Sequence, residues 1–421
     1  MGRRCRILML LLVTVITTCL LIAMEVNEVI VEDQDTARHA EKKPPSTVPS
    51  VRFIVAQSLR CHGWCRMLAS AILSNVSVET VGYGYKKKYS HIRRAYWVME
   101  YIEKGKLRDS DVVVVYDASD TLISGASTVQ RAVDRFIATT APTPDAFDAA
   151  AVRRGVATAP VLFTAEVFCF HPQLGMVYPV RRSLGGKPCT SFYNHTLQVM
   201  RHRDSSVNPS EPGKSRFRFL NAGGYVARVW ALKRAFAVYS RVLTFRRSRR
   251  QIWRCDQSVW GLVYLWSITQ DPRMTPDVRI PRGLINLDFH NTFFVTAYGT
   301  LWGRDFVPWS STAIADVAAG GRLPFPLFFH MADKPNATPA ILHFNGRGEG
   351  TTKSTLWMLR NHTSWYVETM RSAAAFLKAR DMLRHSAFVE IDVSGTGKVR
   401  LPYGRVCPID VVESLIWLPP P

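Results

Sequence analysis

Beyond residue 50 the chain alternates between two hydrophobic periods. Short, largely apolar stretches occupy 51–58, 78–84 and 161–166, and 112–116 is an unbroken run of β-branched and aromatic residues; each reads as a strand. Between them, apolar residues recur every three or four positions over 60–74, 90–104 and 129–139, which predicts helices. A longer amphipathic helix is predicted over 225–243, and a short strand over 340–344 runs into Asn345-Gly346. The last seventy or so residues are mixed, with a helix over 372–385 and strands over 388–393 and 399–401. Strands that alternate with helices imply a parallel sheet, and strands with no polar face imply one covered on both sides. The expected class is therefore α/β, with a mainly parallel sheet flanked by helices and no internal repeat.

One stretch is of a different kind. From Ile7 to Met24 about eighteen consecutive residues carry no charge, enough to cross a bilayer at about 1.5 Å per residue. Arg3, Arg4 and Arg6 precede it, and Glu25, Glu28, Glu32 and Asp33 follow. The positive-inside rule then predicts a type II signal-anchor, with everything after the span in the lumen. A cleaved signal peptide is the competing reading, but it needs small residues at a cleavage site, and Thr17-Thr18-Cys19 is a poor one. Residues 25–50 are polar and end in Lys42-Lys43-Pro44-Pro45, which suits a stem. The expected organisation is a cytosolic tail 1–6, a membrane helix 7–24, a stem 25–50, an α/β domain 51–350 and an extension 351–421, in the Golgi or endoplasmic reticulum membrane.

Composition narrows the picture further. With 421 residues, 47% hydrophobic and 21% charged, the chain is too apolar for a disordered protein and lacks the periods of collagen or a coiled coil. Its net charge of +21 would suit nucleic acid, but a luminal placement makes that partner unexpected. Arg246-Arg247-Ser248-Arg249-Arg250 reads either as a solvated loop or as a patch for an anionic acceptor. Sequons at Asn75, Asn194, Asn336 and Asn361 agree with a luminal domain. Cys61, Cys65, Cys169, Cys189, Cys255 and Cys407 would meet an oxidising environment there. Cys61 and Cys65 are one residue too far apart for a Cys-x-x-Cys redox pair, so structural disulfides or core thiols are expected.

The sharpest candidate chemistry follows the strand 112–116, in Asp117-Ala118-Ser119-Asp120-Thr121. Ligands of open α/β sheets bind beyond the carboxyl ends of the strands, and two carboxylates in that turn can converge on a hard divalent cation. Alternatively, Asp117 caps a turn and Asp120 the next helix. A haloacid-dehalogenase reading fails because Ser119 stands where the second Asp is needed. Gly82-Tyr83-Gly84 lacks the third glycine of a dinucleotide loop, and Val399 after Gly397-Lys398 breaks a P-loop. His343-Phe344-Asn345-Gly346 offers an imidazole for a metal and a glycine for close approach of a phosphate, or else a hydrogen-bonded core histidine. Glu166, Asn221 and Asp256-Gln257 are polar residues set among apolar ones.

In order along the chain these pieces are Asp117-Ala-Ser-Asp120, Phe163-Thr-Ala-Glu166, Cys169-Phe-His-Pro172, Tyr178-Pro179, Leu220-Asn-Ala-Gly-Gly224, Asp256-Gln257, Leu287-Asp288 with Phe294, and His343-Phe-Asn-Gly346. The series resembles the glycosyltransferase domain of the procollagen lysyl hydroxylases and the related collagen glucosyl- and galactosyltransferases, over residues 51–350. The resemblance implies a GT-A fold, a UDP-sugar donor and Mn²⁺. Asp117, Asp120 and His343 match the metal ligands, and Asp117, Asn345 and Gly346 the residues near the diphosphate. Glu166, Asn221 and Asp256 match polar residues that face donor sugar and acceptor, with a stabilising or base role at the sugar carbon. The family's basic residue before the Asp strand corresponds to Lys87, Lys88 or His91.

Departures fall on the sugar and acceptor side. Cys255 replaces an Asp, Phe170 a Trp near the acceptor, Ala222 a Ser, and Val295 the Gln after Phe294. The seventy or so residues after Gly350 are too few for a hydroxylase domain and show no triad of two His and a carboxylate, so a stand-alone transferase is expected. The expected function is transfer of a hexose, glucose or galactose, from a UDP-sugar to a hydroxyl of a secretory-pathway glycoprotein or glycan. The alternative is a catalytically silent member that binds a sugar nucleotide or glycan.

Overall fold

The computed structural model describes residues 48–85, 90–174, 188–203, 215–244, 253–270, 279–300, 305–308, 329–331, 339–345, 360–393 and 397–408. The predicted membrane span, tail and most of the stem lie outside them, as do Asn336, Gly346 and the 246–250 arginine run. No helix among the described residues is long and apolar enough to cross a membrane.

The chain begins with β1 (Val51–Ala56), α1 (His62–Leu73), β2 (Val78–Tyr83), α2 (His91–Lys104) and β3 (Val112–Asp117). After these come β4 (Thr121–Ile123), α3 (Ala126–Thr139), α4 (Ala149–Arg153), β5 (Val161–Glu166), α5 (Pro188–Arg203), β6 (Phe219–Arg228), α6 (Val229–Thr244) and α7 (Asp256–Thr269). Short strands β7 (Ile285–Leu287), β8 (Phe294–Thr296), β9 (Phe306–Pro308), β10 (Phe329–Met331) and β11 (Ile341–His343) precede α8 (Ser364–Met370), α9 (Ala373–Asp381), β12 (Phe388–Val393), β13 (Gly397–Pro402) and α10 (Tyr403–Val406).

Eight strands form the main sheet in the order β13-β12-β2-β1-β3-β6-β5-β7. β12, β2, β1 and β3 are parallel neighbours, as are β5 and β7, while β6 runs antiparallel to both β3 and β5. The carboxyl ends of β1, β3, β5 and β7 therefore share one edge, and β6 delivers its first residues to that same edge. The β-branched run of β3 is fully buried, as a strand covered on both faces requires. On one side α2 packs on β1 and β2 and against α6 and α7. α7 is apolar nearly all round, with Val259, Trp260, Leu262, Val263, Leu265 and Trp266 buried, as a helix inside two layers must be.

The mainly parallel α/β architecture is as expected, with two differences. The helix predicted over 225–243 begins only at Val229, because Tyr225, Val226 and Ala227 pair with β3 on one side and β5 on the other. Pairing on both flanks overrides a helix-compatible pattern. The second difference concerns the C-terminal segment, which continues the same sheet. β12 pairs with β2, Cys407 is disulfide-bonded to Cys65 of α1, and Tyr403 donates to the Cys65 carbonyl at 2.8 Å. The described residues from 49 onward form one compact unit. Lys398 also reaches over the sheet to the buried Glu79 at 2.8 Å.

Candidate functional site

A second, three-stranded sheet, β4-β11-β8, builds the site. β11 pairs antiparallel with β4 so that His343 faces Thr121, and the Phe344 amide donates to the Asp120 carbonyl at 2.7 Å. On its other side β11 runs parallel to β8, and the Ala297 amide bonds the His343 carbonyl at 2.8 Å. Asp288 braces the entry to β8. Its carboxylate accepts from the amides of Thr292, Phe293 and Phe294 at 2.7–3.0 Å and from the Thr292 hydroxyl. These ladders carry a residue from late in the chain to the turn after β3.

There, Asp117, Asp120 and His343 each present a ligand atom within 4.8 Å of the others. His343 Nε2 lies 3.5 Å from Asp117 Oδ2 and 3.4 Å from Asp120 Oδ2. Both competing readings fail on this geometry. A strand, not a helix, follows Asp120, so there is no helix N-terminus for it to cap. His343 is 2% exposed, and neither of its ring nitrogens nor Asp120 Oδ1 makes a directed hydrogen bond. Leaving buried polar atoms orphaned is costly unless something binds them. The Asp117 and Asp120 side chains stay 29% and 36% exposed, so solution has access to the cluster.

Gly223 explains half of the Gly-Gly pair. A Cβ on it would overlap the His343 ring and stand 2.7 Å from Asn221 Oδ1 and 2.8 Å from Asp117 Oδ2. Gly224 lies as close to Thr164 and Phe294. Here β6 bulges against β5: Phe163 pairs with Tyr225 but Thr164 with Asn221. The bulge turns Asn221 toward the end of β5, and the glycines let backbone pass where side chains cannot.

Glu166, the last residue of β5, is 3% exposed and held by three amides. Asn221 Nδ2 and Asn345 Nδ2 donate to its Oε2 at 3.0 and 2.9 Å, and Gln257 Nε2 donates to its Oε1 at 2.7 Å. Burial pushes the Glu166 carboxyl up to about 8, against the pull of the three amides. Asn345, expected near a diphosphate, is thus bound to Glu166 and, through Oδ1, to the Tyr298 amide at 3.3 Å.

Asp256 opens α7 and is 4% exposed. Its Oδ2 accepts from Arg94 Nη2 at 2.5 Å and Nε at 3.0 Å, and its Oδ1 from the Gln257 amide at 2.8 Å. Arg94 also pairs with Asp117 and donates to the Ala222 carbonyl at 2.7 Å. One buried guanidinium therefore joins Asp117, the start of α7 and the bulge of β6. The sequence reading missed Arg94. Lys87 and Lys88 lie outside the described residues; among the described ones Arg94, a turn beyond His91 on α2, pairs with Asp117, and Arg66 of α1 lies near enough to interact with Asp120. The signal for Arg94 was present: an arginine beside Ala95, Trp97 and Val98, on the buried stripe of α2. Gln257 was seen only as a neighbour of Asp256.

Of the four departures, only Phe170 is exposed. Ala222 and Val295 are buried, and Cys255 precedes α7 with its amide bonded to Gln173 Oε1 at 2.8 Å. Disulfides join Cys65 to Cys407 and Cys169 to Cys189, and among the described residues Cys61 and Cys255 are thiols.

No protein-family model matches this chain, and no curated protein does.

Proposed function

We propose that the chain is a divalent-metal-dependent glycosyltransferase of GT-A type that moves a hexose from a UDP-sugar to a hydroxyl acceptor. The observation that carries this reading is the convergence of Asp117, Asp120 and His343 at the carboxyl edge of a mainly parallel sheet, with the buried His343 ring nitrogens and Asp120 Oδ1 making no hydrogen bond. Two carboxylates and an imidazole form a donor set for Mn²⁺ or a similar cation. Bound there, the ion supplies Lewis-acid neutralisation of the charge that develops on departing UDP. The two disulfides support an oxidising compartment, and a membrane-anchored luminal setting through residues 7–24 belongs to the proposal.

The chain's own residues orient the reaction. Arg94 engages Asp117 Oδ1, which leaves Oδ2 on the His343 side. Glu166 holds or gives up a proton beside the sugar carbon. As the carboxylate it stabilises developing positive charge or accepts the proton of the incoming hydroxyl. Asn221, Gln257 and Asn345 fix its two oxygens. Asp256 acts as a positioning residue through Arg94. The same tie favours a second reading, a sugar-nucleotide binder without turnover, because it takes Asp256 out of reach of a substrate.

The test is UDP release by the purified chain from a panel of UDP-sugars, with Mn²⁺ and with chelator, with and without hydroxyl acceptors. Chelator-sensitive release from one donor, lost in Asp117→Ala and Asp120→Ala with the fold retained, is the expected result. Metal-dependent UDP binding without release from any donor would leave the silent binder, and no UDP binding at all would refute both.

A further inference from the structure

The loop after β5 is fastened at every second residue. Cys169 is disulfide-bonded to Cys189 of α5. The His171 ring lies between the Gln257 carbonyl at 2.9 Å and the Tyr193 hydroxyl at 3.0 Å. Gln173 donates its amide to Ser258 Oγ at 3.2 Å and accepts from the Arg254 and Cys255 amides at 2.7 and 2.8 Å. The residues between point the other way: Phe168 is 51% and Phe170 54% exposed. Phe168 meets Tyr298, itself 40% exposed, with ring centroids 5.3 Å apart. Gly299, at φ +79°, lies under the Phe168 ring, where any Cβ would overlap it. Aromatic rings held in place yet left facing water mark a binding surface more than a packing accident.

The chemistry of the occupant follows from what these rings are attached to. Gln257 Nε2 donates both to the Phe170 carbonyl at 2.8 Å and to Glu166. Asn345 donates to Glu166 and accepts from the Tyr298 amide. The two aromatic segments thus hang from opposite ends of one amide–carboxylate–amide chain centred on Glu166. A ligand that fits has an apolar face for the rings and hydroxyls for the polar groups beside them, and a pyranose has both. We propose that Phe168 and Tyr298, with Phe170 alongside, form a stacking ledge for a pyranose ring of the acceptor, so that the acceptor is itself a saccharide. The word acceptor rests on the transferase reading above; binding of the ring does not.

The experiment is ligand-observed NMR on the full chain with methyl β-galactopyranoside, methyl β-glucopyranoside and an apolar peptide, beside a titration with UDP and Mn²⁺. Tyr298→Phe keeps the ring and Tyr298→Ala removes it, and both keep the backbone bond to Asn345. The expected result is saturation transfer to pyranoside ring protons in the wild type and Tyr298→Phe, with affinity at least about tenfold weaker in Tyr298→Ala, about 1.4 kcal/mol. UDP–Mn²⁺ affinity should be equal in all three. No pyranoside contact in the wild type, equal affinity in Tyr298→Ala, or binding of the peptide alone would each overturn the proposal. Tyr298-dependent pyranoside binding in a chain that binds no UDP would uphold the ledge and remove the transferase reading.

Discussion

Glu166 gives the most direct test of the site's electrostatics. The carboxyl is buried, and three side-chain amides are not enough to offset its loss of water, so its value stands at about 8 against an ordinary 4.5. Because the folded-state value is the higher one, folding takes up a proton between those limits. Stability is then full below about pH 4.5, falls as pH rises, and levels off above about 8. At about 1.4 kcal/mol per pH unit, that window is worth roughly 5 kcal/mol. Glu166→Gln removes the titration while still filling the site; it adds a constant offset, since the new amide cannot accept from all three donors. The difference between wild-type and variant unfolding free energies, measured in urea across pH 5 to 9, should therefore slope and then flatten. In parallel, the infrared carbonyl band of a buried protonated carboxyl should be present in the wild type at pH 6, fade near pH 8 and be absent from the variant. A flat difference curve with no such band would refute the reasoning: the three amides would then outweigh burial and Glu166 would be ionised at neutral pH.

Gly223→Ala should keep the sheet but weaken Mn²⁺ binding by at least about tenfold, because the new methyl would overlap the His343 ring and crowd Asp117; calorimetric titration of the metal checks this, and unchanged affinity would refute the packing argument. Replacing both Cys65 and Cys407 by Ser opens a loop of 342 residues and should cost about 6 kcal/mol on the chain-entropy account. Urea unfolding with and without reductant measures that cost, and a midpoint insensitive to both would show that the C-terminal segment is held by β12 pairing and Tyr403 alone.

The alternation of β-branched runs with helical periods was enough to place most elements of 51–166, because their local patterns and tertiary roles agree. Tyr225–Arg228 was misread for the opposite reason. Its residues suit a helix, and only β3 and β5 on either side make them a strand. Short strands such as β4 and β8 carry no periodic signal of their own; three residues acquire an extended conformation from partners far along the chain. The carboxylates of the site were legible, since Asp117 and Asp120 stand out after an apolar strand. What they touch was not. Asn345, matched to a diphosphate, donates to Glu166, and Arg94 was hidden because sequence cannot show which apolar stripe admits a guanidinium.

That arginine bears on how the site is maintained. A buried cation that bridges Asp117 and Asp256 must be matched by charge, or its burial would cost several kcal/mol. The match comes from the end of β3 and the start of α7, and the bulge of β6 adds a carbonyl. Asp117, the apolar helix and the Asn221 turn thus share one cation. The same logic holds at Glu166, where amides from three separate segments meet one carboxylate. Each cluster closes at least one contact between residues more than a hundred positions apart, so the polar groups that would carry the chemistry also fix the register in which β6, α7 and β11 dock. Substitutions at Arg94 or Gln257 should for that reason alter metal affinity and the behaviour of Glu166 together, whereas a change at Tyr298 should leave both alone.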